Sequence, residues 1–173
     1  MHYTQTISSP LGNILLSADE VGLTGLWFDG GRYYADTLPE EHVERETPIL
    51  MDTKRWLDVY FTGREPDFTP LLHPTGSSFR QAVWQLLLEI PYGQTTTYGA
   101  LAKRLDGGRM SAQAVGGAVG HNPISIIVPC HRVVGTNGSL TGYAGGLDRK
   151  IKLLEIEKKD MTGLFRPRKE TTI

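Results

Sequence analysis

Residues 126 to 135, IIVPCHRVVG, hold the only cysteine in a chain of 173 residues, with a proline directly before it and a histidine directly after. A cysteine in an apolar run is ordinarily a small, buried, inert hydrophobe. Its neighbours argue for chemistry instead. Pro129 removes a backbone donor and fixes the chain just ahead of the sulfur, which is costly inside a strand. His131 supplies a base that can draw the thiol towards thiolate, the form that attacks. Such a nucleophile usually needs a third group to orient its base. Glu89, Asp106, Asp148, Glu155 and Glu157 are the candidates, and composition does not choose among them.

The electrophile is equally open. An acyl carbon would give a thioester that water hydrolyses, and the protein would turn over as a Cys-His hydrolase. A saturated alkyl carbon would give a thioether that neither His131 nor water reopens, and the protein would react once.

A single cysteine excludes an internal disulfide and a Cys-rich zinc site, so a reducing cytoplasm is the natural setting. No apolar run approaches the roughly 20 residues needed to span a bilayer, and MHYTQTISS lacks the features of a secretion signal. The charge is unevenly divided. Residues 1–76 carry five Lys/Arg against twelve Asp/Glu, and residues 77–173 carry thirteen against seven. A basic half of this kind suits a polyanionic partner.

The elements that must hold Cys130 follow from periodicity. YTQTI, NILLSA and LTGLWF, separated by turn residues, predict a three-stranded antiparallel meander. From Ile49 to Thr62 the pattern turns helical, with Trp56, Leu57, Tyr60 and Phe61 forming a stripe that reads as core packing. LLHPTGSS breaks the periodicity where the charge changes sign, which places a domain boundary at residue 76. Ser78 and Gln81 have capping-box spacing and open a helix through Phe79, Val83, Trp84 and Leu87 that stops at Ile90-Pro91. Two short helices follow, TTTYGALAKRL and MSAQAVGGAVG, joined by a glycine turn as in a helix-turn-helix. The second is nearly bare of side chains, and its interior glycines each cost about 1 kcal/mol against alanine. Either tight packing or close approach to a partner would explain them; Val115 and Val119 face the core in both cases. Ser125 to Val134 reads as a buried strand, GTNGSLTGYAGG as a loop, and Asp148 to about Lys158 as a last helix with Leu147, Ile151 and Leu154 inward. The polar RPRKETTI end is expected to fray.

HNPISIIVPCHRVVGTNGSLTGYAGGLDRKIKLLEIE, continued upstream by SSFRQAVWQLLLEIPYGQTTTYGALAKRL, resembles the active-site domain of the methylated-DNA-protein-cysteine methyltransferases, or O6-alkylguanine-DNA alkyltransferases. The ISSPLGNILLSA opening is similar to that of bacterial members. The resemblance implies an α+β chain: a ribonuclease H-like supporting domain, with a three-stranded sheet and helix, over residues 1–76. Over 77–173 it implies a mostly α, winged-helix-like domain for DNA binding and alkyl transfer. Cys130 would take the alkyl group from O6 of a damaged guanine, irreversibly and without a cofactor or metal; O4-alkylthymine is a further candidate substrate. His131 would activate the thiol through a bridging water and be held by Glu157. Asn122 would order the turn that frames the site, and Tyr98 would donate to the guanine ring as charge develops. Val133, Tyr143, Ala144 and Gly145 would complete the base pocket, with Gly99, Arg109, Gln113, Arg132 and Thr136 also facing substrate or DNA. The implied partner is double-stranded DNA, bound by a monomer through the minor groove with the target base flipped out.

Two positions depart from the family pattern. Gln113 stands where many members carry arginine, leaving Arg109 as a substitute or DNA binding weaker. Ala144 stands where several carry serine, so a backbone N–H would make that contact alone. Two other classes remain to be weighed: a non-catalytic binder of alkyl lesions, which the presence of Cys130 disfavours, and the hydrolase, which needs neither a smooth helix nor a basic half. A SAM-dependent methyltransferase is disfavoured by the lack of a suitable Gly-rich loop after a strand.

Overall fold

The computed structural model describes residues 1–167. The fraying expected of the RPRKETTI end falls mostly on 168–173, outside the described residues. The architecture is α+β, with a sheet and one helix in the first half and mostly helices in the second.

Strands β1 (His2–Ile7), β2 (Ile14–Ala18) and β3 (Leu23–Phe28) form the expected antiparallel meander. Side chains close its turns: Ser9 Oγ donates to Gly12 O, and Asp19 Oδ1 accepts from the N–H groups of Val21 and Gly22. The sheet has four strands rather than three. β4 (His42–Glu44) pairs in parallel with β1, giving the order β3-β2-β1-β4. Its residues are all exposed, so no apolar alternation marks it in the sequence.

Helix α1 (Pro48–Tyr60) starts where Thr47 accepts from Leu50 N and Pro48 occupies the first turn. It lays Leu50, Trp56, Leu57 and Tyr60 against the sheet. Helix α2 (Ser78–Leu88) is capped by Ser77, one residue before the expected Ser78. Ser77 has the extended backbone a cap needs and accepts from Arg80 N, while Gln81 donates to Pro74 O instead of closing a capping box.

A two-residue strand β5 (Thr96–Thr97) leads into α3 (Tyr98–Lys103). A 3-10 turn at Asp106–Gly108 follows, then α4 (Ala112–Gly120). This is the expected helix-turn-helix. Thr97 and Ser111 cap its two helices, and Gly107 and Gly108 supply the positive φ of the turn. Helix α4 buries Val115, Ala118 and Val119, and Trp84 Nε1 donates to Ala118 O at 2.9 Å. Its outer side shows Ala112, Gln113 and Ala114, and a Cβ added at Gly117 would meet nothing within 4 Å. The helix is smooth on the face that does not pack.

The strand expected from Ser125 to Val134 does not form, apart from β6 (Val133–Val134), which pairs in parallel with β5. The chain instead makes two tight turns and a 3-10 turn at Cys130–Arg132. Asn122 is the reason: its Nδ2 donates to Ile124 O and Val128 O, and its Oδ1 accepts from Ile124 N. A side chain that takes over the backbone's partners competes with a ladder. Ile126, at φ 69, centres a turn in which Ile127 N reaches Ser125 O at 2.8 Å. For a β-branched residue that conformation is strained.

Helix α5 (Leu147–Ile156) closes the chain, with Leu147 and Leu154 buried and Ile151 half-buried. One core contains buried residues from both halves, from Ile7 to Leu153. The halves also share backbone bonds: Leu26 N donates to Pro123 O and Ser125 N to Leu26 O, so strand β3 braces the turn that leads to Cys130.

Candidate active site

Cys130 begins the 3-10 turn and is 5% exposed. Pro129 (φ −82, ψ 64) bends the chain so that Cys130 N donates to Val128 O at 2.8 Å. Burial pushes the thiol's ionisation up; the nearby Asn122 amide and the Lys150 charge pull the other way without overcoming it. The resting sulfur is a thiol, and it needs a base at the moment of reaction.

That base is adjacent. His131 is fully buried, and burial lowers its pKa even though Glu157 opposes the effect. Its Nε2 lies 2.6 Å from Glu157 Oε2. An ionised carboxylate only accepts, so Nε2 carries the proton and donates. Nδ1, which has no hydrogen-bond partner among the described residues, then holds the free lone pair. This is the tautomer a general base requires.

Glu157 follows the last turn of α5 and is the most heavily bonded side chain of the site. Oε1 accepts from Arg132 Nε and from Gly93 N, both at 2.9 Å. Oε2 accepts from His131, from Tyr60 Oη at 2.6 Å and from Arg132 Nη2 at 3.1 Å. Burial alone would raise its pKa, but the hydrogen bonds and charges of His131, once protonated in the acid range, and of Arg132 hold it at about 2. With His131 neutral, Arg132 supplies the permanent positive charge.

Tyr98 opens α3 and is carried beside this turn because β5 pairs with β6, just after Arg132. Its buried phenol is pushed up to about 12, first by burial; the Thr141 hydroxyl acts in the opposite direction and Cys130 adds to the rise. At neutral pH it is a donor. The Tyr143 ring stands edge-on to the His131 ring at 6.5 Å, and its phenol is also raised well above the usual tyrosine value, by burial and by Cys130. Gly145 has to be glycine: a Cβ there would sit 2.8 Å from the Tyr143 ring and 2.9 Å from Phe28. Ala144 and Gly145, with Asn122, Ser125 and residues Phe28, Arg32 and Tyr33 of the first half, border a narrow cleft.

The structure therefore brings Cys130, His131, Glu157, Asn122, Tyr98, Val133 and the Tyr143-Ala144-Gly145 loop into one region. Gly99 lies at its rim, where an added Cβ would come 3.4 Å from Thr136 Oγ1, and Thr136 itself is exposed. Arg109 and Gln113 are exposed on the helix-turn-helix, away from the buried cluster. Arg132 requires correction as a substrate- or DNA-facing residue. Its guanidinium points inward, bonded to Glu157 and, through Nη1 at 2.7 Å, to Ile90 O. A buried carboxylate claims it because both charges are removed from solvent and each needs the other as a partner.

Two residues of the site carry no earlier assignment. Tyr60 reads as packing, and nothing in its stripe reveals what its hydroxyl meets. Lys150, fully buried, donates from Nζ to Val133 O and Thr141 O, both at 2.7 Å, tying β6 to the loop before Tyr143. Burial lowers its pKa to about 8. Its signal was spacing: it sits three residues after Leu147 and four before Leu154, on the helix's inward side.

A buried thiol with an imidazole tied to a carboxylate, beside a helix-turn-helix of the kind used on DNA, defines a cysteine-nucleophile protein built to work on a nucleic acid. The comparisons agree. Residues 1–73 match the profile of the 6-O-methylguanine DNA methyltransferase ribonuclease-like domain, and residues 78–159 match that family's DNA binding domain. A methylated-DNA-protein-cysteine methyltransferase of Methanosarcina acetivorans is 46% identical over 155 residues, covering 90% of this chain and 97% of that protein. One of Haemophilus influenzae is 42% identical, covering 91% and 87%. The crystal structure of Mycobacterium tuberculosis OGT in complex with DNA superposes with a TM-score of 0.80 at 40% identity, covering 94% of this chain and 99% of that one. The chain belongs to the 6-O-methylguanine DNA methyltransferase family.

Proposed function

We propose that this protein repairs DNA by transferring the alkyl group of O6-alkylguanine to Cys130, once per molecule. The observation that carries the reading is the Cys130-His131-Glu157 arrangement: a buried thiol, a neutral imidazole with Nδ1 free, and a carboxylate that fixes the tautomer. Attack of Sγ on the alkyl carbon forms an S–C bond and breaks the C–O6 bond. The thiol proton goes to His131, and Glu157 stabilises the imidazolium that results. The electron pair of the broken bond stays on guanine, where the Tyr98 hydroxyl donates. The thioether has no leaving group that water can displace under these conditions, so the protein is spent.

The alkyl carbon is out of reach inside a duplex, and the smooth face of α4 suits a shallow approach to the minor groove from which the base is flipped. Residues 77–173 form the transfer domain in this reading and 1–76 its support. Gln113 and Arg109 contact DNA, and Gly99 and Thr136 border the entering nucleotide. No cofactor or metal takes part, and the protein acts as a monomer on double-stranded DNA. Among the described residues no helix is long and apolar enough to cross a membrane; a reducing cytoplasm keeps the thiol ready.

The test is the intact mass after incubation with a duplex bearing O6-methylguanine. A gain of one methyl-derived unit on Cys130, equal in amount to guanine restored, is expected. Unchanged mass with retained lesion binding would mean a non-catalytic binder, and turnover on an ester would mean a hydrolase. Cys130→Ala should abolish transfer and leave DNA binding largely intact.

A further inference from the structure

The first half of the chain contains none of the residues that touch substrate in this reading, yet one of its side chains reaches the centre of the site. Tyr60, the last residue of α1, is fully buried. Its ring is stacked on Trp56 at 5.2 Å and is met edge-on by Phe61 at 5.5 Å and by Tyr92 at 6.2 Å. Phenylalanine would pack as well; a buried phenol is retained when its hydroxyl has a partner. The partner is Glu157 Oε2, at 2.6 Å and 97 residues away in the chain. It is the same oxygen that accepts from His131 Nε2.

We propose that Tyr60 is a positioning residue for alkyl transfer, supplied by the N-terminal half: its hydroxyl fixes the Glu157 carboxylate in its ionised form, so that His131 keeps its Nε2 proton and presents Nδ1 to Cys130. The inference rests on the transfer reading above. The phenol is a permanent donor, since burial and the adjoining carboxylate push its ionisation far above that of a free tyrosine. By sharing Oε2 it lowers the carboxylate's basicity, and the proton gained by His131 during the reaction stays on the imidazole. The other groups around this pair are Arg132 and Gly93 N on the carboxylate and Tyr92 beside them. Cys130, Tyr143 and Lys150 lie on the imidazole side. Among these, Tyr60 alone comes from the first half of the chain.

The test is Tyr60→Phe, which keeps the ring. Single-turnover transfer from an O6-methylguanine duplex is followed from pH 4.5 to 9, together with affinity for undamaged duplex. The variant is expected to react roughly tenfold more slowly at neutral pH, as for other outer partners of a reacting group. The acid limb of its rate profile is expected to move to higher pH, with affinity unchanged within about twofold. In a Glu157→Gln background the same change should have almost no effect. Should Tyr60→Phe fail to fold, 3-fluorotyrosine placed at position 60 keeps the hydroxyl and donates more strongly, and the acid limb should move to lower pH. A wild-type rate and an unmoved acid limb in either variant overturn the proposal, whatever happens to melting temperature. Failure of the wild-type protein to transfer would instead overturn the transfer reading itself.

Discussion

Arg132 and Glu157 form a two-pronged ion pair inside the protein, Nε to Oε1 at 2.9 Å and Nη2 to Oε2 at 3.1 Å, with the carboxylate completely buried. Planar groups meeting edge to edge make the strongest arrangement of this type. The pair is finished by Gly93 N, Tyr60 and His131 on the carboxylate and by Ile90 O on the guanidinium.

Removing one partner of such a pair is costly because the other stays buried with its charge unmatched. Arg132→Met should lose about 3–5 kcal/mol of stability in urea unfolding. The pH dependence has a definite sign. Glu157 is held at about 2 against an ordinary 4.5, so its contribution is fully present above pH 4.5 and is lost as pH falls towards 2. The wild-type protein should therefore destabilise more steeply over that window than Glu157→Gln. Parallel curves would show that the carboxylate is not held down by its partners.

Asn122 makes three hydrogen bonds that replace a strand ladder with the turn leading to Cys130. Asn122→Ala leaves two buried carbonyls and one N–H with fewer partners. A loss of about 2–4 kcal/mol is expected by denaturant unfolding. Because Ile126 is held at φ 69 by this turn, the transfer rate should fall in a variant that remains folded.

Tyr98→Phe removes a donor aimed at developing charge and leaves packing in place. Transfer should slow by about 100-fold, while affinity for a lesion duplex changes little. Equal losses in rate and affinity would show that Tyr98 only packs.

Gly117 lies on the bare face of α4, with open space where a side chain would go. Gly117→Ala should stabilise the helix by about 1 kcal/mol. Gly117→Leu fills the same space with a bulky group and should weaken duplex binding by roughly tenfold, about 1.4 kcal/mol. Fluorescence anisotropy with undamaged duplex measures it. Unchanged affinity would place the DNA on another surface.

Local rules made much of this protein legible from its residues. Strand alternation and Asp/Ser/Gly turns marked the meander, and 3.6-residue periodicity marked α1, α2 and α5. Pro-Cys-His identified a nucleophile with its base. Single-residue slips occurred where two neighbouring serines, Ser77 and Ser78, could each cap a helix, and backbone geometry selected the first. β4 escaped notice because an exposed three-residue strand buries nothing and so leaves no pattern.

The sequence by itself determined that Cys130 and His131 are adjacent, that a smooth helix follows a glycine turn, and which faces of the helices are apolar, since these depend on neighbours within a few residues. Its five carboxylates remained equivalent on spacing alone. The family resemblance singled out Glu157, and the tertiary structure placed it against His131; only that structure decided that Arg132 turns inward and that Tyr60 and Lys150 bring polar tips into the core. Periodicity shows that a side chain points inward. What its last atom bonds to depends on a partner as much as 97 residues away, and only the folded chain brings the two together.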